Sequence, residues 1–590
     1  MISRTDPKFM TVCRGDEPAD TVFVNGRVVN VFTRTVEPVS VGVFGGRVCA
    51  VTAEKVNAAQ TIDLGGRFLA PGLIDAHMHV ESTMMMPCEF VSVAAPHGTT
   101  GVVFDPHEIA NVLGVPGIRL LMDASLGLPM NIMFAASSCV PSSAFENSGA
   151  TLEAADLEPL FDDERVVALA EMMNFPGVFL GDPGVLAKVK LGLNRAIVDG
   201  HCPGLAGRGL GAYVGAGISS DHECTTPEEA LEKVRLGMQI YLREGSAARN
   251  LEALVPIVND RNASRFCFCT DDRHPGDLRH EGHIDHVVRK AVRLGLDPVT
   301  ALAMGSLHVA DHYRQPDLGA IAPGRSADLI VFEDLADITP TSVYHQGELI
   351  AQGGEMVGGV LDRAPNPDES FSRGSVRIAP DFGEASLRIP AKPGVEQIRV
   401  IEADPHQLWT EEAHLPPKIE DGRYVADPSR DLLKLAVIAR HGTDNGAGSG
   451  IGLGFVTGFG FENAALASTV GHDAHNLAVV GDNDSDMAAA ARALESVGGG
   501  QCVVRDGTVL ALLPLPIAGL ISDQPSAKVI EQQSMLLAAV RAIGCPVEDP
   551  FMPLSFLPLP VIPKLKLTDL GLVDVLAQRV VPLEVGFDAE

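Results

Sequence analysis

Two groups of short β-branched runs, each punctuated by tight-turn residues, flank a long stretch of alternating strand-like and helix-like segments. Upstream, Val22-Phe23-Val24 and Val28-Val29-Asn30-Val31 surround Asn25-Gly26, and Val41-Gly42-Val43-Phe44 and Val48-Cys49-Ala50-Val51 surround Gly45-Gly46. Downstream come Asp328-Leu329-Ile330-Val331-Phe332 and Ser342-Val343-Tyr344, the latter leading into Gln346-Gly347. Asn-Gly and Gly-Gly accept the positive φ of tight hairpin turns, so each such pair predicts a hairpin. Small sheet fragments are not stable alone. Two of them bracketing one segment therefore predict a single small β-sandwich domain built from both flanks, residues 1–70 and 317–370.

Within the bracket, Thr100-Gly101-Val102-Val103-Phe104, Asn131-Ile132-Met133-Phe134, Val166-Val167-Ala168-Leu169 and Arg265-Phe266-Cys267-Phe268-Cys269 are short, apolar runs of the buried parallel type. Residues 227–243 and 284–294 carry helical spacing. The alternation predicts an α/β fold, a TIM-like (β/α)8 barrel over 71–316, whose reactive groups gather at the C-terminal ends of the strands. An open doubly wound sheet would call for Gly-x-Gly-x-x-Gly after the first strand, and that motif is missing. The Pro-rich run Arg363-Ala364-Pro365-Asn366-Pro367 reads as a linker. Beyond it, 371–590 is expected to form a separate α/β (α+β) domain, with a Gly-rich stretch at 441–460 and the string His472-Asp473-Ala474-His475-Asn476.

A net charge of −31 repels a phosphate backbone, and 5% aromatic residues with one Trp provide few stacking platforms. A nucleic acid polymer is excluded as partner, whereas a free base is not. The N-terminus lacks the apolar core of a signal peptide, and the longest uncharged stretch, near 510–522, is short and Pro-rich. Ten cysteines without a C-x-x-C repeat suggest neither a disulfide framework nor a thiolate zinc site. A cytoplasmic protein with no membrane association is expected.

The chemistry concentrates at strand ends. His77 and His79 close an apolar run, and residues two apart on a strand share a face, so both imidazoles aim the same way. Glu171 follows 166–170, His201 follows 196–200, His222 follows 217–221, and Asp271 follows 266–270. Singly, a His after a strand is ordinarily a core or capping residue, and an Asp there caps the next helix. Their ordered recurrence at consecutive strand ends is what such roles do not explain.

The order His-x-His, acidic ligand, His, His, Asp resembles the amidohydrolase superfamily of metal-dependent hydrolases. Asp317-Leu318-Gly319-Ala320-Ile321-Ala322-Pro323-Gly324-Arg325-Ser326-Ala327-Asp328-Leu329 is similar to the segment by which its members re-enter their small β domain. Longer strings match the bacterial adenine deaminases: Gly98-Thr99-Thr100-Gly101, Asp105-Pro106-His107-Glu108-Ile109-Ala110-Asn111, Thr270-Asp271-Asp272-Arg273, Glu281-Gly282-His283-Ile284-Asp285-His286 and Gly471-His472-Asp473-Ala474-His475-Asn476. This resemblance implies hydrolytic deamination of adenine to hypoxanthine and ammonia by a metal-activated hydroxide attacking C6. It implies a binuclear divalent centre, Mn2+ first, then Fe2+ and Zn2+, with His77 and His79 on one ion, His201 and His222 on the other, and Glu171 between them. Glu171 stands where cyclic amidohydrolases place a carbamylated lysine, and Lys188 and Lys190 lie too far along to replace it.

By the same resemblance Asp271 ligates metal and shuttles the proton of the water to the departing amine. The acid that protonates N1 is open among Glu108, Glu81 and Glu223, with Glu108 first. Asp105, His107, His283 and His286 are expected to line the pocket or to support the ligands from behind. His472 and His475 either reach the barrel mouth or stabilise their own domain. Adenine is the expected partner, along with a second copy of the chain in a dimer. The rival expectations are deamination of another aminopurine, ring opening of a cyclic amide, or a non-catalytic scaffold on a degenerate barrel.

Overall fold

The computed structural model describes residues 1–590 except 247, 363, 405–407, 443–449 and 588–590. Arg363 of the linker and residues 443–449 of the Gly-rich stretch therefore lie outside the described residues. The two flanks complete one small domain. Strand Leu329–Phe332 pairs antiparallel with Phe68–Pro71, in the register Ile330–Ala70 and Val331–Leu69. This ladder belongs to a seven-stranded sheet, which faces a four-stranded one. Phe23, Val41 and Val48 of the smaller sheet share a buried cluster with Leu69, Leu329 and Val331 of the larger. The turns at 45–46 and 346–347 close hairpins, pairing Phe44 with Arg47 and His345 with Glu348.

The turn at Asn25-Gly26 does not. Strand Ala19–Val24 pairs within the four-stranded sheet and Arg27–Asn30 within the seven-stranded one. Asn25, at φ 56°, carries the chain from one layer of the sandwich to the other. Both runs hold buried apolar residues, and each finds a better partner elsewhere than its chain neighbour.

The barrel strands are β1 (Leu73–Met78), β2 (Thr99–Phe104), β3 (Asn131–Ala136), β4 (Val166–Met172), β5 (Ile197–Gly200), β6 (Ser220–Asp221), β7 (Gln239–Arg243) and β8 (Phe266–Cys269). All pairings among them are parallel, β1 to β5 in one sheet and β6 to β8 in another. The seam between β5 and β6 is bridged where Ser219 N–H donates to the Val198 carbonyl at 2.9 Å. The circle closes where Asp271 N–H donates to the His77 carbonyl at 3.0 Å and His79 N–H to the Asp271 carbonyl at 3.1 Å. Period-two alternation carries the barrel interior up to its mouth. Val103, Tyr241 and Cys269 pack inside, and Asp105, Arg243 and Asp271 stand two positions further on.

The expectation of one helix over 227–243 fails. The helix is Pro227–Arg235, and β7 begins at Gln239. Gly237 sits at φ +95° and breaks the helix, and the run Met238-Gln239-Ile240-Tyr241-Leu242 is wholly buried, as a barrel strand must be.

The C-terminal part is built on an eight-stranded mixed sheet, with helix Asp484–Val497 against it. It is not set apart from the barrel. One apolar cluster contains Phe104, Leu242 and Phe268 together with Leu433, Leu466 and Leu554. Polar ties cross as well: Asn147 Nδ2 donates to Asp569 Oδ2 at 2.6 Å, and Ser526 N–H to Glu89 Oε2 at 2.7 Å. Among the described residues no helix is long and apolar enough to cross a membrane.

Lys566, on strand Leu565–Thr568, has no exposed surface and donates to the carbonyls of Leu408 at 3.0 Å and Phe556 at 3.1 Å. Burial pushes its pKa down to about 7. The unfolded chain keeps this amine protonated up to about pH 10.4. Between those values the unfolded state binds a proton that the native state does not, so the native state gains as pH rises. Wild type should therefore gain denaturant resistance over Lys566→Met from pH 7 to 10, by up to about 1.4 kcal/mol per pH unit. Urea midpoints of the two chains measure this, and parallel pH profiles would count against it.

Candidate metal centre

Six side chains expected at the strand ends meet at the barrel mouth, all of them buried. Glu171, near the end of β4, stands in their midst. Its Oε1 lies 3.8 Å from His77 Nε2 and 3.4 Å from His79 Nε2. Its Oε2 lies 2.7 Å from His201 Nδ1 and 3.2 Å from His222 Nε2. Each oxygen thus faces a different histidine pair. Asp271 Oδ1 lies 3.0 Å from His79 Nε2 and 3.8 Å from His77 Nε2, and its Oδ2 is 3.9 Å from His222 Nε2.

Local structure aims these groups. His79 Nδ1 is 2.9 Å from the Asp105 carbonyl, which accepts its proton and turns Nε2 toward the centre. Asp271 takes φ 58°, a region that Asp tolerates better than most residues, and there its backbone bonds both neighbours of Met78. Beneath His77, the Asp75 carboxylate accepts from the backbone N–H of His77 at 3.1 Å and from the hydroxyl of Thr270 at 2.5 Å.

The electrostatics divide the imidazoles: against burial, Asp271 and Glu171 hold His79 well above its usual range and Glu171 holds His222 up at about 9, a positive charge that a divalent cation would replace. Burial and the adjacent His222 push His77 down to about 3, so its imidazole is neutral. Burial opposes ionisation of Glu171, but His222 and His201 outweigh it and hold the carboxyl well below its usual range. Asp271 is likewise ionised against burial, chiefly by Arg243 and His79. His77 Nε2, His201 Nε2, His107 Nδ1 and both oxygens of Asp105 are buried without a hydrogen-bond partner among the described residues. Each such atom costs about 1–3 kcal/mol. Orphaned imidazole nitrogens and carboxylate oxygens clustered around one buried glutamate are a donor set of the type that divalent cations satisfy. His77, His79, Asp105 and Glu171 form one group with the spacing to hold an ion, and Glu171, His201 and His222 form another. Lys188 is turned away, donating to the Ser138 carbonyl at 3.0 Å.

The remaining expected residues divide. His107 joins the centre, with Nδ1 3.4 Å from Glu171 Oε1 and Nε2 3.1 Å from Glu108 Oε1. Glu223 lines the same cavity, 3.4 Å from His222 Nε2. Glu81 lines a neighbouring one, its Oε1 accepting from Ile109 N–H at 3.0 Å. Its pKa is pushed up to about 7, by burial first and then by the Glu108 charge. His283 lies behind the ligands, 3.0 Å from Asp75 Oδ2. His286 is not brought in. It lies in the first turn of helix Ile284–Arg293, 3.8 Å from Glu281, and only solvates that helix.

Two features escape a strand-end search. Arg243 is buried with its guanidinium between Glu223 and Asp271. It was hidden by the helical spacing of 227–243, and Gly237 is the signal that would have exposed the strand it ends. The other lies in the C-terminal part. His472 Nδ1 is 2.7 Å from Glu108 Oε1, and His475 Nε2 bonds Glu108 Oε2. The open choice for these two histidines resolves toward the barrel mouth.

Similarity to known proteins runs the length of the chain. The Amidohydrolase family model matches residues 68–350, and the Adenine deaminase C-terminal domain model matches 407–579. A relative named adenine deaminase from Desulfatibacillum aliphaticivorans is 47% identical over 97% of this chain and 98% of its own length. Others of that name, from Kosmotoga olearia and Geobacillus kaustophilus, are 42% and 43% identical over 98% and 96% of this chain, covering 98% and 97% of their own lengths.

Because Glu171 faces both histidine pairs, Glu171→Ala should cut bound divalent metal by about half or more while leaving circular dichroism unchanged. Elemental analysis of the purified variant beside wild type reads the outcome.

Proposed function

The chain belongs to the adenine deaminase family of the amidohydrolases, and from that premise we propose that it hydrolyses adenine to hypoxanthine and ammonia at the histidine–carboxylate centre. One observation carries the assignment: the two oxygens of a buried glutamate each face a separate pair of imidazoles. In this reading His77 and His79 hold one divalent cation and His201 and His222 the other, with Glu171 between them and Asp271 beside them. The donor set is nitrogen and oxygen throughout, which suits manganese, iron or zinc, and manganese is our assignment. When bound, such a pair lowers the pKa of water toward neutrality and polarises the carbon–nitrogen centre under attack.

The chain's own groups manage the protons. Attack at C6 releases a proton from water, and the departing amine must gain one. Asp271, ionised and 3.0 Å from His79, accepts the first and supplies the second. Arg243 holds Asp271 and Glu223 together, so neither carboxylate swings out of the cavity. N1 needs a further proton. Glu108 and Glu223 face the central cavity, and Glu81 opens on its neighbour. We assign delivery at N1 to the cluster of Glu108 with the imidazoles of His107 and His472, which share its oxygens: Glu108 is held ionised and keeps the two imidazoles protonated as the donors, and the proton shed by the C6 hydroxyl as the amine departs returns to the cluster. His283 and Asp75 fix the strand that carries His77 and touch no substrate.

Two outcomes are expected. Protein produced with defined manganese, iron or zinc should release ammonia from adenine, and His77→Ala or Asp271→Ala should abolish release with the fold intact. Activity that persists in wild type after exhaustive chelation would refute the mechanism. Glu108→Gln should lower kcat by roughly 10²–10⁴, the usual worth of a positioned acid or base. A kcat near that of wild type would move the N1 role to Glu223.

A further inference from the structure

Over the centre lies a cavity of about 30 Å³ with two unlike walls. The barrel side is mainly polar, made of the histidines and carboxylates described above with Arg243, and Met173 is its one apolar side chain among the described residues. The opposite side belongs to the C-terminal part: Leu408, Phe556, Leu559 and Ile562, with His472 at the junction. Of the described residues on this cavity, Phe556 alone has an aromatic ring other than an imidazole. In a chain with 5% aromatic residues, such a ring over the reactive centre calls for a reason.

The ring is held with unusual care. Phe556 packs parallel to His472, with centroids 4.4 Å apart and planes 9° apart. His472 in turn is tied to the barrel through Glu108 at 2.7 Å. The backbone is fixed too, because the buried Lys566 donates to the carbonyls of both Phe556 and Leu408. A fully buried amine is a costly way to join a loop to a helix end. Here the loop carries Leu408 and the helix Phe551–Phe556 ends on Phe556, and both bear the apolar roof.

A purine has heteroatoms around its edge and two apolar π faces. A wall of imidazoles and carboxylates can address the edge, and only the roof can take a face. We propose that the C-terminal domain completes the substrate pocket: its roof, which here leaves about 30 Å³ over the centre, lifts to admit the base, and Phe556 is the surface against which the purine ring then lies. Phe556 is thereby a specificity-determining residue supplied from outside the catalytic barrel. The inference rests on the adenine deaminase reading and adds to it a binding face that the barrel lacks.

Manganese-loaded full-length protein tests this through KM for adenine and the inhibition constant of hypoxanthine, which reports binding without chemistry. Phe556→Ala should raise both roughly 5- to 150-fold, the range that base–aromatic stacking carries, with kcat and metal content held within about threefold of wild type. Phe556→Leu, which preserves apolar bulk and so protects the test against a folding failure, should raise both in the same direction by less. Phe556→Tyr should stay near wild type. Leucine and alanine variants whose KM and inhibition constant match wild type would overturn the proposal, as would a loss confined to kcat. A wild-type protein that releases no ammonia from adenine would instead bring down the functional reading, and the proposal with it.

Discussion

A carboxylate buried among imidazoles is the constraint on which the rest of this structure depends. Glu171 has histidines against both oxygens, and its charge is the counterweight that makes so many buried nitrogens tolerable. Removing such a group from water costs several kcal/mol, and only close opposite charge or a cation repays it. The barrel exists in a form that delivers this repayment. Parallel strands in fixed register bring residues as distant in the chain as His77 and Asp271 to one rim, and the closing bonds of Asp271 to the backbone on either side of Met78 lock the circle at the same place.

The ligands were legible because they obey a local rule. Each follows a short apolar run, and a strand's alternation says where its last side chains point. The small β domain was legible for a similar reason, since two sheet fragments without partners demand each other. Arg243 was not legible because helical spacing in Pro227–Arg235 ran on past Gly237 into a buried strand of five residues. At Asn25-Gly26 the local turn chemistry was right for a hairpin, but tertiary pairing sent the two strands to different sheets. His286 shared a family string with His283, yet His283 is the N-cap residue with non-helical backbone, so the rule that residues three apart share a helix face does not apply, and only His283 meets Asp75.

The partnership between barrel and C-terminal part leaves no periodic trace. Glu108 and His472 are 364 positions apart, and nothing in the composition of either segment names the other. What the structure adds is that the two parts share an apolar cluster and a chain of polar contacts running from Glu171 through His107 and Glu108 to the C-terminal histidines. The histidine–carboxylate cluster and the C-terminal part are thereby one network rather than a barrel with an appendage.

The span of that network also sets a timetable. A ribosome delivers Glu108 early and its imidazole partners more than 360 residues later, so a nascent barrel waits with this carboxylate uncapped until the far end of the polypeptide has been made. The cluster of Glu108 with His472 and His475 is thus complete only when the last part of the chain has been made.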